Sequence, residues 1–202
     1  MIISVIFVLL FLAFLMGIIL VPKIDGKINM IKVAVMGIMA IFCYQSFWAF
    51  MFQLVGIPVN LKSTCISMAA AVLLLWGMII KKKKMQRIFV RITDIAVLAV
   101  LAGIVIAVSL HMFTPYLRLS YINSDPANHF NDAMVIVKQG VLGKHIYFSA
   151  FVNAMFIEIF SPILIVSKYY KAFIFADIFM HVLEVWMCYV LMLTVSEKKI
   201  VR

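Results

Sequence analysis

Charge is scarce in this sequence, and acidic charge is scarcest: 13% of its 202 residues are charged, and only 8 are Asp or Glu. A water-soluble domain carries roughly 25% charged residues and roughly 45–50% apolar ones, whereas 66% of this chain is hydrophobic and its mean hydropathy is +1.16. Packing so much apolar sequence around one core would leave large greasy patches in water, which excludes a soluble globular fold. Cysteine is equally sparse. Cys43, Cys65 and Cys188 all lie inside apolar runs, with neither the spacing of a zinc site nor the density of a secreted disulfide framework. There is no glycine-rich phosphate loop, no serine-nucleophile signature, no tandem repeat and no low-complexity segment.

What is present is basic. The 18 Lys and Arg give a net charge of +10, a balance that in a soluble protein would point to nucleic acid. No basic stripe with interleaved aromatics occurs outside the apolar runs, so nucleic acid is excluded as a partner. The basic residues cluster in short connections instead, most densely at Lys81-Lys82-Lys83-Lys84 followed by Arg87 and Arg91. Such placement fixes topology and meets anionic headgroups.

Between these clusters lie runs of membrane-crossing length. Ile2 to Val21 is uncharged throughout and matches the ~20 residues that cross a hydrocarbon core. It does not read as a cleaved signal peptide, because it has no basic leading region and Lys23, Lys27 and Lys32 follow it. Those lysines stay cytoplasmic and place the N-terminus outside. Further runs cover Val33 to Pro58, where Gln45 and Ser46 interrupt, then Ser63 to Ile80, Ile92 to Phe113 and Ala172 to Val195. The segment after Phe113 is thereby extracytoplasmic. His145 to Val166 has two readings. It is apolar enough to cross, yet His145, Ser149 and Asn153 share one helical face and Pro162 interrupts it, as expected of an interfacial helix on which Glu158 faces headgroups.

The expected fold is therefore all-α: a multi-pass transmembrane helix bundle of five spans, or six if 145–166 crosses, with one or two interfacial helices on the outer face. Five crossings put about two thirds of the basic residues inside, which is the better charge balance. The chain divides into a four-span region over 1–113, an extracytoplasmic loop with a surface helix over 114–144, and a part over 145–202. That last part holds the interfacial helix or span, the final span and a basic cytoplasmic tail. The setting is the plasma membrane.

Two constellations carry chemistry. In the outer loop, Asp125 followed by Pro126 is a helix start and Gly140 a helix end, which predicts a surface helix over about Pro126 to Gln139. On it Asp125, His129 and Asp132 are spaced i, i+4, i+7 and share one face. Two carboxylates and an imidazole there can deprotonate a hydroxyl or hold a divalent cation; the plain alternative is a cap and a solvated face. In the last run, Asp177, His181 and Glu184 repeat the same spacing, with Cys188 on the same face. A carboxylate at the depth of Glu184 must face protein or a water-filled cavity, so this intramembrane polar cluster lines a pathway or bonds helices together. Asp94, three residues after Arg91, reads as a partner of the basic tract.

The outer loop Ser124-Asp125-Pro126-Ala127-Asn128-His129-Phe130, preceded by a span and followed by Ala133-Met134-Val135-Ile136-Val137-Lys138-Gln139-Gly140, resembles the first extracytoplasmic loop of GT-C-type membrane glycosyltransferases. These enzymes use polyprenyl-phosphate-linked sugars. The resemblance covers about Phe113 to Val195 and implies Asp125 as catalytic base, with His129 and Asp132 orienting groups or binding a cation. Arg118 and Lys138 are then available to a lipid phosphate. It further implies an interfacial helix matching His145 to Ser161 and an inward span matching Ala172 to Val195. The family normally has eight or more spans, often with one before this loop where three more runs stand here. The expectation is thus a truncated or split enzyme, an inactive relative, or one half of a complex with a second membrane subunit. The rival class is a non-catalytic membrane protein, transporter-like or an assembly subunit, in which Asp177, His181 and Glu184 form the polar seam.

Overall fold

The computed structural model describes residues 2–22, 27–81, 87–113, 125–142, 148–160 and 169–200. Within them the chain is all-α, apart from two three-residue strands. The order is α1 (Ile2–Leu20), β1 (Lys27–Asn29), α2 (Met30–Leu54), α3 (Leu61–Lys81), β2 (Arg87–Phe89), α4 (Ile92–Phe113), α5 (Asp125–Gln139), α6 (Phe148–Phe160) and α7 (Tyr169–Ile200). Four helices, α2, α3, α4 and α7, are long and apolar enough to cross a membrane. Their flanks expose large apolar side chains, among them Leu73, Ile92 and Met192 at 76%, 83% and 72%. Such a surface is stable in lipid and not in water, which marks a membrane protein.

The connections sort to two ends of the bundle. At one end β1 and β2 pair in parallel, Lys27 opposite Arg87 and Asn29 opposite Phe89, so the loops entering α2 and α4 lie side by side. At the other end the Val59 N–H donates to the Gly140 carbonyl at 2.6 Å and the Leu142 N–H to Gln53 Oε1 at 3.0 Å. The turn between α2 and α3 therefore touches the segment that follows α5. Gly140 ends α5 at φ +67°, a left-handed conformation that favours glycine, as its place in the sequence predicts.

Packing is tightest between α1 and α2. A Cβ built on Gly17 would overlap the Val33 carbonyl, and one on Gly37 would overlap the Ala13 carbonyl. The backbones approach this closely because Ala13 and Gly17 on α1 and Gly37 on α2 are small, and apolar helices in lipid gain little from hydrophobicity and much from close contact.

Near the β-pair a buried polar node ties three helices. Asn29 caps α2 by accepting from the Ile31 N–H at 2.9 Å and donates to Asp94 Oδ2 at 3.1 Å. Tyr189 of α7 donates to Asp94 Oδ1 at 3.0 Å. Asp94 is 3% exposed, buried in the bundle where its place beside Arg91 suggests a snorkelling surface group, and its carboxylate satisfies two donors there. Removing it leaves both donors without their acceptor. Asp94→Ala is expected to cost at least ~1.5–3 kcal/mol, read as a lowered unfolding midpoint in detergent, with Tyr189→Phe costing less.

Two further expectations change. α6 has 13 residues, about 20 Å of helix, which falls short of a ~30 Å hydrocarbon core. Nor does it lie on a surface with a wet face: Ala150 through Met155 are all buried, and Asn153, expected on the polar face, is 0% exposed. A helix apolar nearly all round is buried against other helices, here against α2, α5 and α7. The solvated-face pattern of His145, Ser149 and Asn153 misleads because His145 lies outside the described residues and Asn153 points into protein. Glu158 is half-buried and accepts from the backbone N–H of Leu61 at the start of α3.

Candidate functional site

α5 is amphipathic and docks by its apolar stripe. Ala133 and Ile136 are buried at 0% and 3%, while Asn128, Asn131 and Lys138 stay exposed. Phe130 pins the helix to α7, meeting the Tyr170 ring edge-on at 5.4 Å and the Phe173 ring at 5.5 Å. Such aromatic pairs are directional and fix orientation as well as burying area. One residue before this anchor, His129 lies within electrostatic reach of the Asp177 carboxyl group on α7, one turn beyond Phe173. His181 stands one turn further along α7: its Nδ1 lies 2.8 Å from the Asp177 carbonyl oxygen and 3.7 Å from Asp177 Oδ2. A carbonyl only accepts, so Nδ1 is the donor in this contact.

His129 of the outer-loop helix and Asp177 and His181 of the last helix thus lie in one region of the structure, beside the contact of Phe130 with the start of α7, while the body of α5 packs on α6. Asp132 is half-buried on α5, one turn from His129. Asp125 begins α5, but its side chain and Arg118 lie outside the described residues. Lys138 is exposed in the last turn of α5, about 14 Å along the helix from His129, and is not brought to the same place. Glu184 departs from the expected cluster altogether. It is exposed, whereas Asp177 is within electrostatic reach of His129 on α5. Among the described residues no group of three His, Cys, Asp or Glu is placed to hold a metal ion.

Two polar features were not legible as partners in the sequence. Between α2 and α3, Ser67 Oγ donates to Gln45 Oε1 and the Tyr44 hydroxyl donates to the Ser67 carbonyl at 3.0 Å, a bonded pair of polar residues from two apolar runs. The other is Glu158. Burial pushes its carboxyl up to about 7 from the ordinary 4.5, opposed only in part by the Leu61 N–H that it accepts. The folded state therefore holds this proton to a higher pH than the unfolded chain does. The contribution to stability is greatest below about 4.5, falls as pH rises through the window from 4.5 to about 7, and is constant above it. Thermal unfolding in detergent is expected to show a lower midpoint at pH 8 than at pH 5, and Glu158→Gln should remove much of that difference.

An apolar cavity of about 240 Å3 lies between α1, α2, α6 and α7, lined by side chains such as Leu9, Ala13, Ile38, Phe42, Phe156 and Phe179. Every lining side chain is apolar, so water has no good polar partner there. No known protein family, no curated protein and no solved structure matches this chain.

Proposed function

We propose that the chain is a GT-C-like membrane glycosyltransferase, or the N-terminal part of one, that transfers a sugar from a polyprenyl-phosphate donor to an acceptor on the outer face of the plasma membrane. The observation that carries this reading is the seating of α5 at the end of the bundle away from the basic connections, where it packs on α6 and its Phe130 meets Tyr170 and Phe173 of α7, with His129 within electrostatic reach of Asp177. In this reading Asp125 takes the proton from the acceptor hydroxyl. His129 and Asp132, within two turns of Asp125 on the same helix, orient it or bind a divalent cation, and Asp177 holds the His129 ring in place. Arg118 and Lys138 attract the lipid phosphate, and the apolar cavity offers room for part of a polyprenyl chain.

The topology that goes with it has five crossings, α1 being the fifth, with the N-terminus outside and the C-terminus in the cytoplasm. α5 lies at the outer interface, and α6 beside it is a short helix sunk into the protein. A second membrane subunit or a further C-terminal half completes the sugar pocket. The test is transfer from a labelled polyprenyl-phosphate sugar in membranes containing this chain and the polypeptide that completes it, comparing the unaltered protein with Asp125→Asn. Equal transfer in both overturns the assignment. The rival reading, an assembly subunit without catalysis, draws on one observation, the outward exposure of Glu184.

A further inference from the structure

α7 carries a second pattern that its packing in this chain does not use. Asp177, His181, Glu184, Cys188, Leu191 and Val195 follow one another at spacings of four and three in turn, the 3.5-residue repeat of a helix seam. At 100° per residue they cover about 80° of the helix circumference. Apart from Asp177 they are exposed: the His181 side chain at 53%, Leu191 at 52% and Val195 at 58%, with Glu184 and Cys188 also exposed. The opposite side is the one spent on the bundle, where Ala176, Leu183 and Val190 are 0%, 1% and 0% exposed and Trp186 Nε1 donates to the Leu98 carbonyl of α4. No described residue covers the seam.

In a membrane this face cannot be left to lipid. Glu184 stands near the middle of α7, a helix whose candidate span runs from Tyr169 to Ser196, and an ionisable side chain at that depth faces protein or water. We infer that a second copy of this chain covers it, with two α7 helices pairing in parallel about a two-fold axis along the membrane normal. Copies inserted by the same topogenic signals share one orientation, so their α7 helices can meet only in parallel. A two-fold interface must be complementary to itself, and this one is. In a parallel two-fold pair each residue lies level with its own copy, so each His181 ring sits between the Asp177 and Glu184 layers, where its Nε2 and a carboxyl group of the second copy can share one hydrogen bond, and symmetry repeats the contact. Leu191 and Val195 then close the cytoplasmic half by apolar packing, and Cys188 sits close to the axis. The polar layer fixes the register, as a single polar position does in a coiled coil.

Cysteine cross-linking tests this in the full chain, in native membranes and after reconstitution. With Cys43 and Cys65 replaced by Ser, mild oxidation is expected to give a disulfide-linked dimer of the chain through Cys188. Moving the cysteine to Leu191 or Val195, with Cys188→Ser, should also cross-link, while one placed at Leu193, turned away from the seam, should stay monomeric. Glu184→Lys, which sets a cation against His181, should lower the Cys188 cross-linked fraction at least tenfold, with the amount of folded protein checked by size-exclusion chromatography. Absence of a dimer at all three seam positions in well-folded protein overturns the inference. So does equal cross-linking at Leu193, which would signal random collision, or a Cys188 adduct made only with a different protein.

Discussion

Asp125→Asn is expected to lower sugar transfer at least ~100-fold, the smaller end of what a general acid or base contributes, while leaving the amount and melting of the membrane-inserted protein unchanged. The two halves of that result separate the two roles open to this residue. α5 begins at Asp125 and continues through Pro126, and an Asn at a helix start caps about as well as an Asp. A residue that only starts the helix therefore tolerates the amide, and Asp125→Ala would cost roughly 0.5–2 kcal/mol of local stability. An amide nitrogen and carbonyl cannot take a proton from a hydroxyl at neutral pH, so a base does not tolerate the change. Full transfer by the Asn variant would leave Asp125 a cap. Loss of transfer together with loss of folded protein would point to the helix start. His129→Gln supplies an internal check, because Phe130 and not His129 anchors α5 to α7: the fold should survive while transfer falls.

The helices were legible because membrane runs are long, nearly uncharged and bounded by basic residues. The run from Ile92 to Phe113 coincides with α4, and the surface helix expected over Pro126 to Gln139 is α5 with one more residue at its start. The last run extends to a 32-residue helix, since Tyr169 to Lys171 and Ser196 to Ile200 are polar but good enough helix formers to continue it beyond the apolar part. α6 was misjudged for a physical reason. Periodicity of polar residues reports a wet face only when the polar residues are wet, and Asn153 is a buried polar group on a helix surrounded by others. Which helix α5 would dock against was not readable at all, because Phe130 and His129 carry no information about their partners on α7. The same holds for Asp94: three residues from Arg91 it looks like half of a surface pair, and only the parallel pairing of Asn29 with Phe89 brings its true partner within reach. The i, i+4, i+7 spacing on α7 was correctly seen as one face, but spacing alone does not say whether that face turns into the bundle or out of it.

Gly37→Leu is expected to be the most damaging single substitution in the membrane region, with Gly17→Leu close behind. On each glycine the missing Cβ is replaced by a backbone carbonyl of the facing helix, Ala13 opposite Gly37 and Val33 opposite Gly17. A side chain in a core can swing to another rotamer; a helical carbonyl is held by its own hydrogen bond and cannot. The helices must separate, and the loss spreads along the whole contact, which includes the buried Leu12, Ala13, Val33 and Val35. Overpacking a core ordinarily costs ~1–3 kcal/mol, and a clash against backbone at two reciprocal points belongs at or above the top of that range. Even Gly37→Ala should be destabilising, against the ~0.5–1 kcal/mol that alanine normally gains over glycine inside a helix. Gly77 and Gly103 provide the control, because a Cβ at either meets nothing within 4 Å; Gly103→Ala should be neutral or slightly stabilising. Unfolding midpoints of the four variants in one detergent decide it. If Gly37→Ala and Gly103→Ala shift the midpoint in the same direction by the same amount, α1 and α2 are not packed backbone to backbone, and the contact that anchors the N-terminal helix is wrong.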